Sequence, residues 1–380
     1  MKKKILYVTS RDPKDKRTWS GTMYYMAKSL EKHAGEVIYG GPYNPFFFFI
    51  QKFIKRITLW TTGKNYLSSY STVLSYLYKW HFEKLVKKHA PDVIFAGSAS
   101  VEVSRLNVGC PIINLNDITF ELLIDRYNHF TNLTTRSLKR GESIEQLSFN
   151  NSKALIFSSQ WAADSAHKHY KIPKENIHII SFGANTDRIP LRDEVFNKKY
   201  NKINILFLGV EWIRKGGNIV YDTFVELQKR NLEKEIHLTF LGLTPPVESI
   251  ASNITIIPFL NKNKTEDFNA FYDLMLQSHI LFVPSRFDCT PIAFCEASAF
   301  GLPIISTNVG GISSVVKDGS NGFLLPVEAG AKEYADLISN IISKENMLQN
   351  LTLSTRDYYE SNLSWDQWGE KLSELVNKLS

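Results

Sequence analysis

Ser285–Ile312 reads SRFDCTPIAFCEASAFGLPIISTNVGGI, and the succession of element types in it decides the fold class. Just before it, Ile280–Pro284 is a short apolar run ended by proline, the pattern of a strand buried on both faces. Asp288, Cys289 and Thr290 supply helix-start chemistry, with Pro291 predicted at the first helical position. The helix is expected to run to Phe300, stop at Gly301, and give way at once to a second strand, Pro303–Thr307. Strand, loop, helix, strand is a βαβ unit, which implies an α/β fold. In such sheets ligands bind at the carboxyl ends of the strands. A helix start there presents N–H groups without helical partners and a positive dipole end, a fit for phosphate. Asp288 and Glu296 are the only acids in the stretch, one before the helix and one two turns along it. Carboxylates beside a phosphate-type helix end suit a ligand that carries hydroxyls as well as phosphates. Taken singly, each feature would also fit a capped helix in some other α/β protein.

The stretch resembles the E-x7-E signature of the family-4 retaining glycosyltransferases, here as Asp288-x7-Glu296 followed by Ala297, Ala299, Gly301 and Pro303. Two positions depart from the usual form. The first acid is Asp, one methylene shorter than Glu, and Cys289 stands where glycine is common. The resemblance implies a GT-B fold, two Rossmann-like domains whose parallel sheets face a central cleft. It further implies transfer of a hexose-type sugar from a nucleoside-diphosphate sugar, with retention, and without cofactor or metal. Glu296 would hold ribose hydroxyls and Asp288 sugar hydroxyls. The backbone around Cys289, Thr290, Pro291 and Ile292 would face the diphosphate.

Length and composition agree with that expectation. A chain of 380 residues exceeds one ordinary core. Hydrophobic residues at 43% and aromatics at 13% indicate a globular chain. The apolar run after MKKK is too short for a signal peptide, and no run reaches the length of a membrane span. Three cysteines (Cys110, Cys289, Cys295) make neither a disulfide framework nor a metal site, which fits a reducing cytoplasm. Residues 1–185 carry 26 Lys+Arg against 14 Asp+Glu, and residues 186–380 carry 19 against 24. A basic half joined to an acidic one points to an anionic partner for the first.

A strand is expected at Lys3–Thr9, then a loop in which Gly21 lets backbone approach a ligand ahead of a helix to Leu30. By resemblance Gly21 belongs to the glycine loop near the donor diphosphate; a plain tight turn reads equally well. Glu36–Tyr39 is a second strand. From Asn44 the chain reads NPFFFFIQKFIKRITLW. Asn44 and Pro45 suggest a helix start. Phe46, Phe49, Ile50, Phe53, Ile54 and Ile57 fall on one helical face, broadened by Phe47, Phe48, Leu59 and Trp60, with Lys52, Lys55 and Arg56 away from it. Phe46–Trp60 therefore suits either a membrane interface or an ordinary core helix. The first reading makes the protein cytoplasmic and peripheral on the inner membrane face, with an anionic surface as partner. Nucleic acid is disfavoured because no binding motif accompanies the basic residues. A long helix is predicted over Tyr66–His89.

Strands follow at Asp92–Ala96 and Pro111–Leu115. Asp117, after the second, is a candidate near the donor sugar by resemblance, or else a cap for a helix Ile118–Tyr127. Helix Leu133–Phe149, strand Ala154–Ser158, helix Gln160–Tyr170 and strand Ile177–Ile180 complete an acceptor-binding domain, residues 1–185. Gly183-Ala184-Asn185 resembles the family's crossing into a linker, placed at 186–202. The nucleotide-sugar domain, 203–360, opens with strand Ile203–Leu208 and Gly209-Val210-Glu211-Trp212-Ile213-Arg214-Lys215-Gly216-Gly217. Two cations beside a glycine pair, ahead of helix Asn218–Arg230, can clamp a diphosphate. Gly209 and Lys215 match the family's spacing here; Val210 occupies the usual Arg position, leaving Arg214 to supply the second charge. Ile236–Leu241 and Ile254–Ile257 are strands and Thr265–Gln277 a helix; the Pro258–Asn261 loop would seat the base. A last helix, Trp365–Leu379, is expected to pack on the first domain. The acceptor would be a lipid-linked or polysaccharide hydroxyl in cell-surface glycan synthesis. The alternative is a non-catalytic, nucleotide- or membrane-binding partner of a glycan-assembly complex.

Overall fold

The computed structural model describes residues 2–230, 232–247, 251–344 and 346–379. The chain divides into two compact units, Met1–Ser181 with Trp368–Ser380, and Phe182–Gln367.

Each unit is built on a six-stranded, all-parallel sheet. The first holds β1 (Lys3–Val8), β2 (Gly35–Tyr39), β3 (Val93–Gly97), β4 (Ile112–Asn116), β5 (Ala154–Phe157) and β6 (Ile177–Ile179), in the order β2-β1-β3-β4-β5-β6. Its helices are α1 (Thr22–His33), α2 (Phe47–Thr62), α3 (Thr72–His89), α4 (Ser100–Val103), α5 (Phe120–Leu123), α6 (Thr135–Asn150) and α7 (Gln160–Lys168). Strands β3, β4 and β5 are buried throughout, which is why they read as unbroken apolar runs.

The second unit begins with α8 (Arg192–Phe196) and holds β7 (Lys202–Leu208), β8 (Glu235–Leu241), β9 (Ile254–Ile257), β10 (Ile280–Val283), β11 (Ile304–Thr307) and β12 (Gly322–Leu325), ordered β12-β11-β10-β7-β8-β9. Helices α9 (Gly217–Gln228), α10 (Thr265–Gln277), α11 (Ile292–Ala299), α12 (Ala331–Ser343) and α13 (Met347–Asn362) connect or follow these strands. The final helix, α14 (Trp365–Leu379), crosses the division. Its Trp368 is buried in the first unit with its ring 5.9 Å from that of Phe95, and Gly369 leaves no room for a Cβ beside Ser29 and His33.

Three helix expectations need correction. The helix predicted over Tyr66–His89 begins only at Thr72, because residues 65–67 hydrogen-bond to a distant segment. Asn65 N–H donates to Asn132 carbonyl (2.9 Å), and Leu67 N–H to Ser137 Oγ (3.0 Å). The helix predicted over Ile118–Tyr127 is only α5, four residues long. Ile124 is extended and Asp125 left-handed (φ 57°), while Phe120 is held in a satellite cluster with Leu67 and Leu133. The aromatic helix starts at Phe47, with Pro45 buried ahead of it, so Asn44 and Pro45 do not cap it. Phe48 has its side chain outside the described residues. Residues 186–202, expected as a linker, lie in the second unit and carry α8, whose Val195 is fully buried.

Candidate functional site

The loops leaving β7, β10 and β11 meet at the carboxyl end of the second sheet, since β10 pairs directly and in parallel with both others. Arg286 N–H donates to Arg214 carbonyl (2.8 Å), and Gly311 N–H to Asp288 carbonyl (3.0 Å). The three turns are therefore tied together through main chain. The glycines here make room for the protein itself. A Cβ on Gly209 would press on the Lys215 side chain at 3.0 Å, and one on Gly217 would enter the Trp212 ring at 2.3 Å. Gly216 and Gly310 are left-handed (φ 73° and 58°). A Cβ on either would stand 2.1 Å from a carbonyl oxygen, that of Pro284 or of Asp288.

On this scaffold Lys215 Nζ forms a short ion pair with Asp288 Oδ2, and Arg214 Nη1 stands 3.9 Å from the same oxygen. Arg214 also donates to Phe287 carbonyl (3.2 Å) and Glu211 Oε1 (2.7 Å), and its guanidinium holds the Glu211 carboxyl below the usual carboxylate range. Val210, in place of the familiar arginine, is 70% exposed. Two cations thus converge on one buried acid. Asp288 is 7% exposed, and the pair is largely withdrawn from water, where such charges interact strongly.

Helix α11 follows, with Pro291 in an extended conformation just ahead of it and not inside it. The first N–H groups of any helix lack partners within it, and those of α11 follow closely on Asp288 in sequence. Glu296, one turn on, is 3% exposed and accepts from Lys262 Nζ at 2.5 Å through Oε1. Lys262 also lies 5.0 Å from the centre of the Phe271 ring and 3.5 Å from Asn185 carbonyl. This cation follows the Pro258–Asn261 loop, and sequence reasoning missed it. Nothing local marks it; only the course of the chain brings it to Glu296. Cys289 is buried. Burial raises the pKa of the Cys295 thiol, whose Sγ contacts Phe182 carbonyl at 3.5 Å, so this thiol is not poised to react. Gly183 and Asn185 anchor Trp365: a Cβ on Gly183 would lie 2.5 Å from Trp365 N, and Asn185 Oδ1 accepts from Trp365 Nε1 (3.1 Å).

Gly21 and Asp117 belong to the first unit. Trp19, Ser20 and Gly21 are successive left-handed residues (φ 49°, 54° and 88°) leading into α1, and Asp117 lies in the bend after β4. Among the described residues no group of three or more His, Cys, Asp or Glu side chains is arranged to hold a metal ion, and no helix is long and apolar enough to cross a membrane.

Two sequence profiles match the chain: Glycosyltransferase Family 4 over residues 22–188, and Glycosyl transferases group 1 over residues 190–357. Spore coat protein SA of Bacillus subtilis (strain 168) is 25% identical over 183 residues, 48% of this chain and 42% of that protein. A D-inositol 3-phosphate glycosyltransferase of Corynebacterium aurimucosum is 23% identical over 219 residues, 53% of this chain and 51% of that one. The chain spans about half the length of these curated relatives. Among solved structures, a glycosyltransferase from Rickettsia africae ESF-5 has a TM-score of 0.66 at 16% identity, covering 100% of this chain and 98% of that one. HepE of Anabaena, solved with UDP and glucose, has a TM-score of 0.64 at 14% identity, covering 99% of this chain and 100% of that one. With both profiles matched in tandem over two six-stranded parallel α/β units, the chain belongs to the group 1, family 4 glycosyltransferases and has the GT-B fold.

Proposed function

We propose that the protein is a retaining glycosyltransferase that moves a hexose-type sugar from a nucleoside-diphosphate sugar to a hydroxyl of a lipid-linked or polysaccharide acceptor. The observation that carries this reading is the meeting of Lys215, Arg214 and Asp288 beside the start of α11, with Glu296 one turn along the same helix. When a glycosyl–phosphate bond breaks, negative charge grows on the departing diphosphate. Fixed cations and N–H groups aimed at that charge lower the barrier. Lys215, Arg214 and the backbone over 290–292 take that part, with no metal required. Lys262 occupies Oε1 of Glu296, leaving the other oxygen to accept from ribose hydroxyls. Asp288 holds sugar hydroxyls once Lys215 turns to the phosphate. Gly21 lies on the path of the diphosphate, and Asp117 assists at the sugar.

Thermal-shift screening against a panel of nucleoside-diphosphate sugars tests donor binding, because a ligand held only by the folded form raises its melting temperature. Uridine donors come first, as HepE was solved with UDP and glucose. A matched donor and acceptor should release nucleoside diphosphate, and Lys215→Ala should lower kcat by about a hundredfold or more. Glu296→Ala should lose donor binding. Full activity in both variants would end the reading. Val210 favours one other version, a nucleotide-binding partner without activity. Donor binding with no turnover against any acceptor would establish that version instead.

The protein also works, in this reading, on the inner face of the cytoplasmic membrane in cell-surface glycan synthesis. Support comes from α2 and the residue just ahead of it: Phe46, Phe49, Phe53 and Trp60 are 63–86% exposed, which an ordinary core helix would not allow. Flotation with anionic vesicles should retain the wild type and lose a folded Phe49→Glu, Phe53→Glu variant. Equal flotation would remove the membrane from the proposal.

A further inference from the structure

A cavity of about 920 Å3 opens in the first unit among α2, the start of α3 and the first turns of α6. Its α2 wall presents Phe47, Gln51, Ile54 and Thr58, the side of that helix opposite the exposed aromatic row. Its other walls include Arg105, Arg136, Lys139 and Arg140, and among the described residues no carboxylate lines it.

Four cations without a carboxylate need an account. Among the described residues none of the four forms an ion pair. Arg105 donates to Ser75 Oγ (2.9 Å) and Tyr76 hydroxyl (3.3 Å). Arg140 donates to Tyr66 hydroxyl (2.8 Å) and Leu67 carbonyl (2.6 Å), and its Nε is buried with no acceptor. Tyr66 hydroxyl in turn donates to Gln51 Oε1 (3.0 Å), which pins α2 to the cavity floor. Helices α3 and α6, of 18 and 16 residues, both begin at the cavity through Thr72 and Thr135, and neither has an acid in its first turn. Helix starts and guanidinium groups each favour an anion, and here they share one hollow. The volume falls in the usual range for a small-ligand pocket, roughly 300–1,000 Å3. Its mixed lining, with Phe47, Ile54, Val73 and Ile144 beside the cations and hydroxyl groups, matches a phosphate joined to a glyceryl ester better than a bare ion.

We propose that this cavity receives the phosphate headgroup of an anionic lipid while the outer aromatic row of α2 lies in the same leaflet. The assignment rests on the membrane contact proposed above and not on sugar transfer. Lys52 and Arg56, exposed on α2, would add unspecific attraction to the surface; the cavity adds recognition of one headgroup.

The test uses the full chain and two probes: dihexanoyl-phosphatidylglycerol below its micelle-forming concentration, and phosphatidylcholine vesicles with or without phosphatidylglycerol. Arg136→Ser with Lys139→Ser should weaken binding of the soluble lipid by roughly thirtyfold, as expected for two cations at a headgroup. Lys87→Ser with Lys88→Ser, an equal loss of charge at the far end of α3, should leave it unchanged. The Phe49→Glu, Phe53→Glu variant should keep the soluble lipid and lose the vesicles. A wild type that binds soluble lipid but does not float would discard the membrane contact and keep the cavity. Soluble-lipid binding equal in the cavity variant and the wild type would overturn the proposal. So would displacement of the lipid by inorganic phosphate at equal concentration, which would make the cavity a site for a free anion. Unchanged melting of the variants confirms that each is folded.

Discussion

Asp288 is the residue at which the chain departs most tellingly from its family's usual form. Its carboxylate engages Lys215 and stands 3.9 Å from Arg214. It therefore competes with any diphosphate for the same cations. Replacing it by Asn should tighten nucleoside-diphosphate binding by roughly fivefold, the effect of releasing one partly screened pair. Transfer should fall at the same time, because the sugar loses its carboxylate. Calorimetric titration with nucleoside diphosphate against both proteins checks this, and weaker binding by Asp288→Asn would refute the competition. Glu296 and Lys262 form the second such pair. Its acid was visible in the E-x7-E spacing, whereas its base was not, since 34 residues separate the two.

At the scale of elements, His279 joins the beginnings of two neighbouring strands. From its place just ahead of β10, its Nδ1 accepts from the N–H of Asn204 on β7 (2.9 Å), and its Nε2 proton is donated to Lys199 carbonyl (2.8 Å) just ahead of β7. The ring is therefore held neutral, and burial pushes its pKa down to about 4. Between the unfolded value of about 6.5 and the folded value of about 4, the unfolded chain binds more protons, so stability rises with pH. The contribution is fully present above about pH 6.5, and about 3 kcal/mol of it is lost as pH falls to 4. Urea unfolding across that range should show the loss, and the ring's NMR signals should stay those of the neutral form down to about pH 5. Elements also show where local reading stops. β10, α11 and β11 emerged within a residue of their predicted ends because burial, proline and glycine mark them locally. Residues 66–71 carried a helical pattern, yet Leu67 N–H donates to Ser137 Oγ and Leu67 carbonyl accepts from Arg140, partners about seventy residues away that no window of sequence contains.

Over the whole molecule, the residues proposed for the diphosphate and ribose, apart from Gly21, belong to the second unit, whereas the cationic cavity and the exposed aromatic helix belong to the first. Hydrogen exchange with bound nucleoside diphosphate should therefore slow in 209–217 and 288–296 and stay unchanged across 47–75 and 134–144. Protection at the cavity would contradict that assignment. The charge imbalance of the two halves, legible from composition, has a local counterpart in the first unit in the four cations around that cavity.

The sequence by itself determined two parallel α/β units and membership of a family, and it singled out Lys215, Arg214, Asp288 and Glu296 for the candidate site. These depend on patterns that repeat within a few residues: apolar runs, helix starts and the Asp288–Glu296 spacing. Only the tertiary structure decided what those residues touch. It spent the site's glycines on contacts within the protein, paired each acid with a lysine far away in sequence, and left the aromatic side of α2 outside any core. Such outcomes follow from long-range packing, where the partner of a charge or an apolar face is set by how the strands are ordered in the sheet.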